Sequence, residues 1–429
     1  MIATIKNILR DSFPYRWYKE IRASFAAIVH HHPAKKLYII GITWTDGKTT
    51  TCNIVYHFLK SQGIKTVLIG TTWAEIDGKA VEWVEKMTSY DPIDLHNILE
   101  MAVKYGCTHA VLEVSSHGLE QYRFKHIPFH VAVLTNITAE HLDYHRNLDQ
   151  YAASKQKLFR ILQNQWKRWV AILPLDDQFG KRRAQRMHFW TVIPYGFSSS
   201  ANLQATMVRE HEQHTTFTVS YMGKPYQVHS PLVGKFNVQN VLAAFGAWLG
   251  CGLSIETMIN MLSSYIHSPG RQTHLSLWEA DRYIDFAHTP NGLEVMLNYL
   301  NMIKQEWRII CLFWAPWCRD RYKRPEMWRV VDRLADIIIL TDDDAATEDR
   351  WQILRDVLPG IKRSEGETFA ILPDRRLAIR YACMLAQPGD KILLAGKWHE
   401  QVLITNFGKE PRDEERILRE ERTRVRETA

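Results

Sequence analysis

The chain has 429 residues, enough for two or three domains. Its net charge is +7, and Lys and Arg are scattered among Asp and Glu, which argues against the continuous basic stripe of a nucleic-acid-binding protein. Six dispersed cysteines without a CxxC pair argue against a zinc ribbon or a disulfide framework, and no apolar run is long enough to cross a membrane. We therefore expect a cytoplasmic globular protein.

The first half of the chain alternates between short apolar runs and amphipathic stretches. Residues 1–35 predict one or two amphipathic helices, and residues 36–43 predict a buried strand. Helices are predicted over 50–63 and 92–105, and both are followed or ended by glycine. Further buried strands are predicted at 66–72, 109–115 and 131–136. This alternation indicates a parallel sheet with helices on both faces.

The pattern changes beyond residue 200. Residues 215–230 alternate around a glycine turn, which predicts an antiparallel hairpin, and a helix is predicted over 237–250. SPGR at 268–271 is typical of a linker. Four more strands follow, at 283–288, 308–313, 336–342 and 391–396. The prediction is an α/β protein: a helical leader (1–35), a P-loop parallel-sheet ATPase domain (36–267) and a smaller Rossmann-like C-terminal domain (268–429) that ends in a charged, solvated helix.

The turn GITWTDGKTTT, residues 41–51, follows a predicted strand and opens a predicted helix. This context is what a phosphate-binding loop requires, because backbone N–H groups at a helix N-terminus hold phosphate oxygens. Lys48 would neutralise the β- and γ-phosphates of ATP, and Thr49 would bind Mg²⁺. Trp44 departs from the pattern, since an indole would crowd a loop whose backbone must approach phosphate closely.

Further motifs follow the loop in a fixed order: EVSSHGL (113–119), TNITAEHLDYH (135–145), YAASK (151–155), PLVGKFNVQN (231–240), GR (270–271), IDFAHTP (284–290), RDRYKRP (319–325) and GKWHE (396–400). With these motifs the chain resembles the Mur ligase family from about residue 36 to 416, and in particular its muramoyl-peptide synthetase branch. The resemblance implies an ATP-dependent ligase that joins an amino acid to a muramoyl-peptide carboxylate through an acyl phosphate, in the synthesis of peptidoglycan precursors.

The resemblance also implies roles for single residues. For ATP it implies Gly41, Thr45, Asp46, Gly47, Lys48, Thr49, Thr50, Asn136, Asn237, Asn240, Arg271 and Asp285. For Mg²⁺ it implies Thr49, Glu113, His141 and Lys155, the last as a carbamate, although the pattern around Lys155 alone is typical of a surface lysine on a helix. For catalysis it implies Lys48, Lys155, Arg271 and His288. For the substrates it implies Thr88, Ser89, Ser115, His117, Gln121, Arg123, Arg319, Asp342, Gly396 and Glu400.

One segment of the sequence suggests which amino acid the ligase joins to the muramoyl peptide. Family members that use diaminopimelate carry Asp-Asn-Pro-Arg, whereas this chain has Asp342-Asp343-Asp344-Ala345. Because alanine cannot form a bidentate clamp on a carboxylate, we expect lysine or another diamino acid without a second carboxylate. Two alternatives stay open at this point: a folylpolyglutamate-type ligase of the same architecture, and a nucleotide-binding homologue without catalysis.

The leader is short for this family, whose members carry an N-terminal domain that grips a UDP-sugar. We therefore expect that domain to be missing and the acceptor to be held differently. The leader helices either contact a membrane surface peripherally or pack on the ATPase domain, and the second interpretation is favoured. We expect a monomer.

Tryptophans stand where the family has glycines, at positions 44, 314, 317, 328 and 398. The chain has 15 Trp and only 21 Gly, which is a Gly share below the usual ~7%. One cause would explain both facts: a gene that uses UGA for glycine, translated with a code that makes UGA tryptophan. The rival hypothesis is a decayed, non-catalytic homologue.

Overall fold

The computed structural model describes residues 12–43, 45–71, 73–81, 89–137, 142–145, 147–164, 169–187, 191–266, 273–277, 280–314, 321, 323–341, 349–396, 402–405, 408–411 and 414–428. These residues form two compact units, divided after Ile266, with a short segment around residue 142 grouped with the second. Each unit is an α/β structure built on its own sheet, so the predicted fold class is confirmed.

The first unit contains an eleven-stranded sheet in the order β11-β10-β9-β8-β7-β6-β1-β5-β2-β3-β4. Its centre is parallel, from β2 to β9, and antiparallel strands lie at both edges. The predicted hairpin is strands β10 and β11. The strands are β1 Tyr38–Thr43, β2 Thr66–Ile69, β3 Ala74–Ile76, β4 Lys79–Ala80, β5 His109–Glu113, β6 Phe129–Leu134, β7 Val170–Pro174, β8 Thr191–Gly196, β9 Leu203–Glu210, β10 Thr215–Tyr221 and β11 Lys224–Ser230.

Helices cover both faces of this sheet. Alternate residues of β1 enter two different cores: Ile40 and Ile42 join one, and Ile39 joins the other, as the two-residue period of a strand requires. The helices of the first unit are α1 Phe13–Val29, α2 Lys48–Ser61, α3 Pro92–Lys104, α4 Ser116–Glu120, α6 Leu148–Gln163, α7 Gln178–Arg186, α8 Lys235–Gly250 and α9 Ile255–Leu262, with a 3₁₀ turn at Pro33–Lys36. The short helix α5, Leu142–His145, is grouped with the second unit up to Tyr144. Buried on both sides, the central strands need near-continuous apolar sequence, and that is why they were predictable.

The second unit has a six-stranded sheet in the order β12-β13-β17-β14-β15-β16, parallel except for β12, and a separate two-stranded ribbon. Its strands are β12 Thr273–Leu277, β13 Ala280–Asp285, β14 Ile309–Phe313, β15 Ile337–Leu340, β16 Phe369–Ile371, β17 Lys391–Ala395, β18 Val402–Thr405 and β19 Gly408–Pro411. Its helices are α10 Pro290–Ile303, α11 Lys323–Leu334, α12 Arg350–Val357, α13 Arg375–Leu385 and α14 Glu414–Thr428, with a 3₁₀ turn at Leu358–Gly360.

The leader helix α1 lies on the first unit. Three alanines of one face are buried, at 23, 26 and 27. Ion pairs join Glu20 to Lys125 and Arg22 to Asp91, the latter at 2.9 Å. Packing on the ATPase domain is therefore what the structure shows for α1, while residues 1–11 lie outside the described residues. A search of the described helices found none long and apolar enough to span a bilayer.

The charged C-terminal helix α14 is not the solvated helix that its sequence predicts. Leu418 and Glu421 are fully or almost fully buried against α13. The Glu421 carboxylate accepts hydrogen bonds from Arg376 at 2.6 Å and from Arg380. Burial raises the pKa of this carboxyl, but hydrogen bonds from Arg380 and Arg376 together outweigh it, so the pKa is lowered.

We expect Glu421→Gln to lower the free energy of unfolding of the second unit by about 2 kcal/mol at neutral pH, because two arginines lose a buried acceptor charge. A lowered carboxyl pKa stabilises the fold above the unfolded pKa of about 4 and loses this effect as pH falls through the folded value. The difference should thus vanish in acid, as thermal melts at neutral and acidic pH would show. Glu420→Gln, with a half-exposed carboxylate on the same helix, is the matched control and should cost less than about 1 kcal/mol.

Two of the anomalous tryptophans lie in the described part of the second unit. The Trp328 side chain is fully buried in α11 and packs on Phe313, with ring centroids 5.2 Å apart. Trp314, directly after β14, is also buried. Among the described residues, neither indole nitrogen has a hydrogen-bond partner. The fold therefore accommodates both rings, at the expense of two buried unpaired donors.

Candidate active site

The phosphate loop joins β1 to α2 at the carboxyl edge of the parallel sheet. Gly47 caps α2 with a φ of 80°, a left-handed conformation that glycine adopts without strain. Asn136, just after β6, holds the loop twice: its carbonyl accepts from Thr45 N at 3.3 Å, and its Oδ1 accepts from Asp46 N at 3.2 Å. The prediction that Asn136 belongs to this site thus agrees with the geometry of the described loop.

The loop has the features of an anion site. The first N–H groups of α2 have no acceptors within the helix, and Lys48 is its first residue. Lys48 Nζ donates to Thr45 O at 3.0 Å, so its ammonium already points back over the loop. Thr49 and Thr50 are buried beside it. Gly41 leaves no room for a side chain, since a Cβ there would lie 2.5 Å from the Phe129 ring.

Two of the residues predicted for ATP, Asn237 and Asn240, share one face of α8 next to the loop. Asn240 Nδ2 donates to Asn237 Oδ1 at 2.9 Å, and Asn237 Nδ2 donates to Val233 O at 2.8 Å. The Asn240 carboxamide lies so close to Gly47 that a Cβ there would be 2.4 Å from its oxygen. Thr51 Oγ1 donates to the Asn240 carbonyl at 3.3 Å. The α8 asparagines and the loop are thus one packed structure.

Glu113 ends β5, the strand directly beside β1, and its carboxylate is buried. Its Oε2 accepts from Thr71 at 2.6 Å, while Oε1 fills the space where a side chain on Gly70 would be. Burial raises the pKa of the Cys52 thiol, Glu113 adds to the increase and Lys48 opposes it. Glu113 and Lys48 therefore both lie near the buried Cys52 thiol.

Lys155 is not a surface lysine. Its side chain is only 2% exposed, and Nζ lies 4.4 Å from the centroid of the Tyr151 ring. Tyr151 Oη in turn lies 3.2 Å from Thr45 Oγ1 in the phosphate loop. Tyr151 and Thr71 were given no role by sequence reasoning, because neither is charged, although Tyr151 opens the YAASK motif.

His117 and His145 lie beside this group. Their ring centroids are 5.6 Å apart, and the His145 ring is 5.2 Å from that of Tyr151. His145 Nε2 is 3.0 Å from Ser116 Oγ, which joins this histidine to the start of α4. His145 is the last residue of the TNITAEHLDYH motif, and no role was predicted for it. Within the described ranges, no three His, Cys, Asp or Glu side chains make a ready metal cluster.

Four predicted substrate residues form one hydrogen-bonded cluster. Ser89 Oγ lies 2.8 Å from Ser115 Oγ and accepts from Ser115 N at 3.1 Å. Arg123 donates to the Ser89 carbonyl and makes two bonds to Gln121 Oε1, at 3.1 and 2.8 Å. Ser115 is the N-cap of α4 and directly follows the strand that carries Glu113. The cluster therefore adjoins the metal-ligand position.

The second unit places its predicted residues at the carboxyl edge of its own sheet. Asp285 ends β13, and Gly396 follows β17 with a φ of 86° and donates to the Asp285 carbonyl at 3.0 Å. His288 Nδ1 lies 2.8 Å from Phe286 O, so the proton on Nδ1 is fixed and Nε2 is the acceptor. A Cβ on Gly396 would lie 2.3 Å from Trp314 Nε1, so this indole packs directly against the buried Gly396.

The remaining predicted residues lie outside the described ones. They are Thr88, His141, Arg271, Arg319, Asp342 and Glu400, together with the tryptophans at 44, 317 and 398.

A phosphate loop, a buried carboxylate and lysine, and a second α/β unit together define a P-loop nucleotide-dependent enzyme with two domains. The Mur ligase middle domain matches residues 42–248, and the Mur ligase glutamate ligase domain matches residues 270–398. The chain belongs to the Mur ligase family and is an ATP-dependent ligase.

Named relatives and solved structures agree. The UDP-N-acetylmuramoyl-L-alanyl-D-glutamate–2,6-diaminopimelate ligase of Synechococcus elongatus is 37% identical over 420 residues, covering 97% of this chain and 82% of the relative. The same-named ligase of Thermosynechococcus vestitus is 38% identical over 407 residues, covering 92% and 80%. A solved structure of a ligase with this name is 30% identical with a TM-score of 0.64, covering 95% and 82%. Mycobacterium tuberculosis folylpolyglutamate synthase, at 16% identity and a TM-score of 0.70 over 88% and 92%, shares the fold.

Proposed function

We propose that this ligase joins lysine, or another diamino acid, to the terminal carboxylate of a muramoyl dipeptide. The single observation that supports this function best is the adjacency of three groups in one unit: the phosphate loop, the buried Glu113 and Lys155, and the cluster around Ser115 and Arg123. The relatives that share 37–38% of their residues with this chain are named as ligases of a muramoyl dipeptide.

In the proposed reaction, the acceptor carboxylate attacks the γ-phosphorus of ATP and ADP leaves. The amine then attacks the acyl carbon of the acyl phosphate, and the tetrahedral intermediate collapses to an amide and inorganic phosphate. The loop N–H groups and Lys48 stabilise the transferring phosphoryl charge. Arg123 and Ser115 bind the acceptor.

The described residues fit a magnesium ion. Glu113 supplies a buried hard oxygen and Thr49 a hydroxyl, and we propose that carbamylated Lys155 and His141 complete the set. A bound Mg²⁺ would neutralise phosphate charge and orient the γ-phosphate for in-line attack. A carbamate would turn the buried Lys155 cation into an anion, which a site for a divalent cation favours.

The muramoyl acceptor is favoured over a folate acceptor by sequence. The likeness to folylpolyglutamate synthase is one of fold at 16% identity, whereas the muramoyl relatives match almost the whole chain. The pre-formed loop, with Lys48 held over it, favours catalysis over a passive nucleotide module.

We expect phosphate release from ATP to require both a UDP-muramoyl dipeptide and the amino acid. Arg123→Ala should raise the acceptor KM about 10–100-fold, the effect of one lost charged hydrogen-bonding group, and leave the ATP KM unchanged. A coupled phosphate assay measures both constants, and Arg209→Ala on the far strand β9 is the control. ATP turnover that ignores the acceptor would contradict the proposal.

The choice of amino acid is tested at position 345. We expect the chain to prefer lysine, because Ala345 offers no guanidinium for a second carboxylate. Ala345→Arg should raise kcat/KM for diaminopimelate by about tenfold or more, the value of a bidentate arginine contact. Mass spectrometry of products from an equimolar mixture measures the ratio. A parent enzyme that already prefers diaminopimelate would overturn the lysine assignment.

We further propose a cytoplasmic, monomeric enzyme whose N-terminal helices touch a membrane surface peripherally. The contact is supported by α1, whose outward face carries large exposed apolar side chains. The chain spans 82% of the length of the Synechococcus relative.

A further inference from the structure

A cavity of about 660 Å³ lies in the first unit, away from the phosphate loop. Its lining includes Lys35, which precedes β1, and Ile127 and Pro128, which precede β6. The amino ends of parallel strands lie at one edge of a sheet, whereas the loop and Asn136 follow the carboxyl ends of the same two strands. The cavity is therefore at the opposite edge from the ligase chemistry, and the proposed reaction does not use it.

The cavity combines an apolar wall with cations. The wall is formed by Leu119, Phe124, Ile127, Pro128 and Ile161, and the cations are Lys35, Lys125, Lys157 and Arg160. Lys125 is paired with Glu20 and Lys157 with Glu120. In the described part of the chain, no carboxylate lies within ion-pair distance of Lys35 or Arg160. Two cations thus remain for an anion that enters from outside.

His126 also lines the cavity, close to the cations Lys125 and Lys35. Burial lowers the pKa of its imidazole, and Lys125, His32 and Lys35 lower it further. Glu20 raises it. Of the described residues that line the cavity, four are Lys or Arg and one is a carboxylate, a balance that favours a negatively charged occupant.

Helix α1 borders the cavity and carries a broad apolar face. Glu20 lines the cavity, and Ser24 Oγ lies 3.0 Å from His126 Nε2. At about 100° per residue, Phe13 falls between Glu20 and Ser24 around the helix, and an apolar arc begins beside Ser24 at Trp17 and runs to Val29. The exposed fractions of these side chains are Phe13 79%, Trp17 59%, Ile28 62%, Ile21 45%, Phe25 59%, Tyr18 54% and Val29 50%.

Several large apolar side chains exposed together on one helix face are typical of a surface that binds a partner or a membrane. Aromatic side chains dominate it, and the cations Arg16, Lys35 and Lys36 lie exposed on α1 and the turn that follows it. That combination suits the interface of an anionic bilayer, where apolar rings enter the acyl boundary and cations meet headgroups. A second copy of α1 would instead bring like charges together.

We propose that the cavity and the apolar face of α1 form one site for a phosphate-headed lipid of an anionic membrane. The lipid phosphate binds at Lys35 and Arg160, its first acyl carbons lie against the apolar cavity wall, and the α1 face enters the surrounding bilayer. The site does not depend on the proposed ligase reaction, because it lies at the other edge of the sheet.

Vesicle flotation of the full chain tests this site. We expect the protein to float with vesicles of phosphatidylcholine mixed with phosphatidylglycerol and not with phosphatidylcholine alone. Trp17→Ser/Phe25→Ser and, separately, Lys35→Gln/Arg160→Gln should each weaken binding by about tenfold or more, since each cation near an anionic surface contributes roughly fivefold. The controls Trp351→Ser and Lys181→Gln, which are exposed elsewhere, should bind as the parent does.

A monomeric short-chain phosphatidic acid separates the lipid from free phosphate. It should compete for vesicle binding, while inorganic phosphate and short-chain phosphatidylcholine should not. Equal competition by inorganic phosphate, binding to neutral vesicles, or a dimer that Trp17→Ser/Phe25→Ser dissociates would each overturn the proposal. The cation variant is decisive if the α1 variant fails to fold. Ligase activity on soluble substrates should be unchanged in the cation variant, so loss of lipid binding and failure of the proposed function are distinguishable.

Discussion

Replacing Lys155 with alanine is expected to lower kcat by about 10²-fold or more, while the ATP KM changes little. The reason is electrostatic: the carbamate proposed for this side chain, which is 2% exposed, would be a fixed charge at the proposed site of phosphoryl transfer, and removing one such pre-organised group lowers kcat by about 10²–10³-fold. The measurement is acceptor-dependent phosphate release at saturating ATP. Lys181→Ala, an exposed lysine on α7, is the matched control and should be silent.

Carbamylation separates this role from a structural one. Wild-type activity should fall in CO₂-depleted buffer and return with bicarbonate, and Lys155→Ala should regain part of its activity when acetate or formate supplies the missing carboxylate. Carbon-13 NMR with labelled bicarbonate would show the carbamate directly. If Lys155→Ala loses activity that no small carboxylate restores, and CO₂ removal leaves the parent unchanged, the residue acts through packing on Tyr151.

Replacing Trp44 with glycine is expected to raise kcat/KM for ATP by at least about tenfold. The two residues after position 44 are held by hydrogen bonds, because Thr45 N and Asp46 N both donate to Asn136. The loop therefore cannot shift to make room for an indole where phosphate must contact backbone. Recovering even one hydrogen bond to a charged phosphate is worth about 1.5–3 kcal/mol. Competition binding of a fluorescent ATP analogue measures the affinity directly.

Trp351→Gly is the control for this change, since Trp351 is 57% exposed on α12 and its loss should affect only stability. Codons decide the cause: UGA at the five anomalous positions supports the recoding hypothesis, and UGG removes it. A Trp44→Gly variant with unchanged ATP affinity would show that the loop tolerates the ring. The buried, unpaired indole nitrogens of Trp314 and Trp328 fit a chain in which these rings are additions, although both rings are packed.

The sequence predicted best what burial and backbone geometry impose. Central strands such as β1 and β6 are mostly apolar, and the Gly-Lys-Thr turn marks both the loop and the helix start. Ser89 and Ser115 were predicted to serve one substrate and lie 2.8 Å apart. Such motifs are predictable because several residues must be correct together.

What the sequence did not predict depends on contacts between distant segments. Tyr151 is an ordinary helix tyrosine until the fold brings it to Thr45, and Thr71 is an ordinary turn residue until it meets Glu113. Lys155 looked like a surface lysine because its own helix gives no sign of the sheet that covers it. The tail helix looked solvated because its sequence is highly charged. Its sequence does not show that arginines of α13 pair with its carboxylates and allow the helix to be buried.

The contact between Gly47 and Asn240 also constrains how this enzyme can change over generations. Any side chain at 47 would come within 2.4 Å of the Asn240 amide oxygen, so Gly47 cannot be replaced while Asn240 stays. In homologous chains we expect glycine at position 47 wherever position 240 is asparagine. A lineage that alters nucleotide preference is therefore expected to do so around this pair, through neighbours free to mutate one at a time.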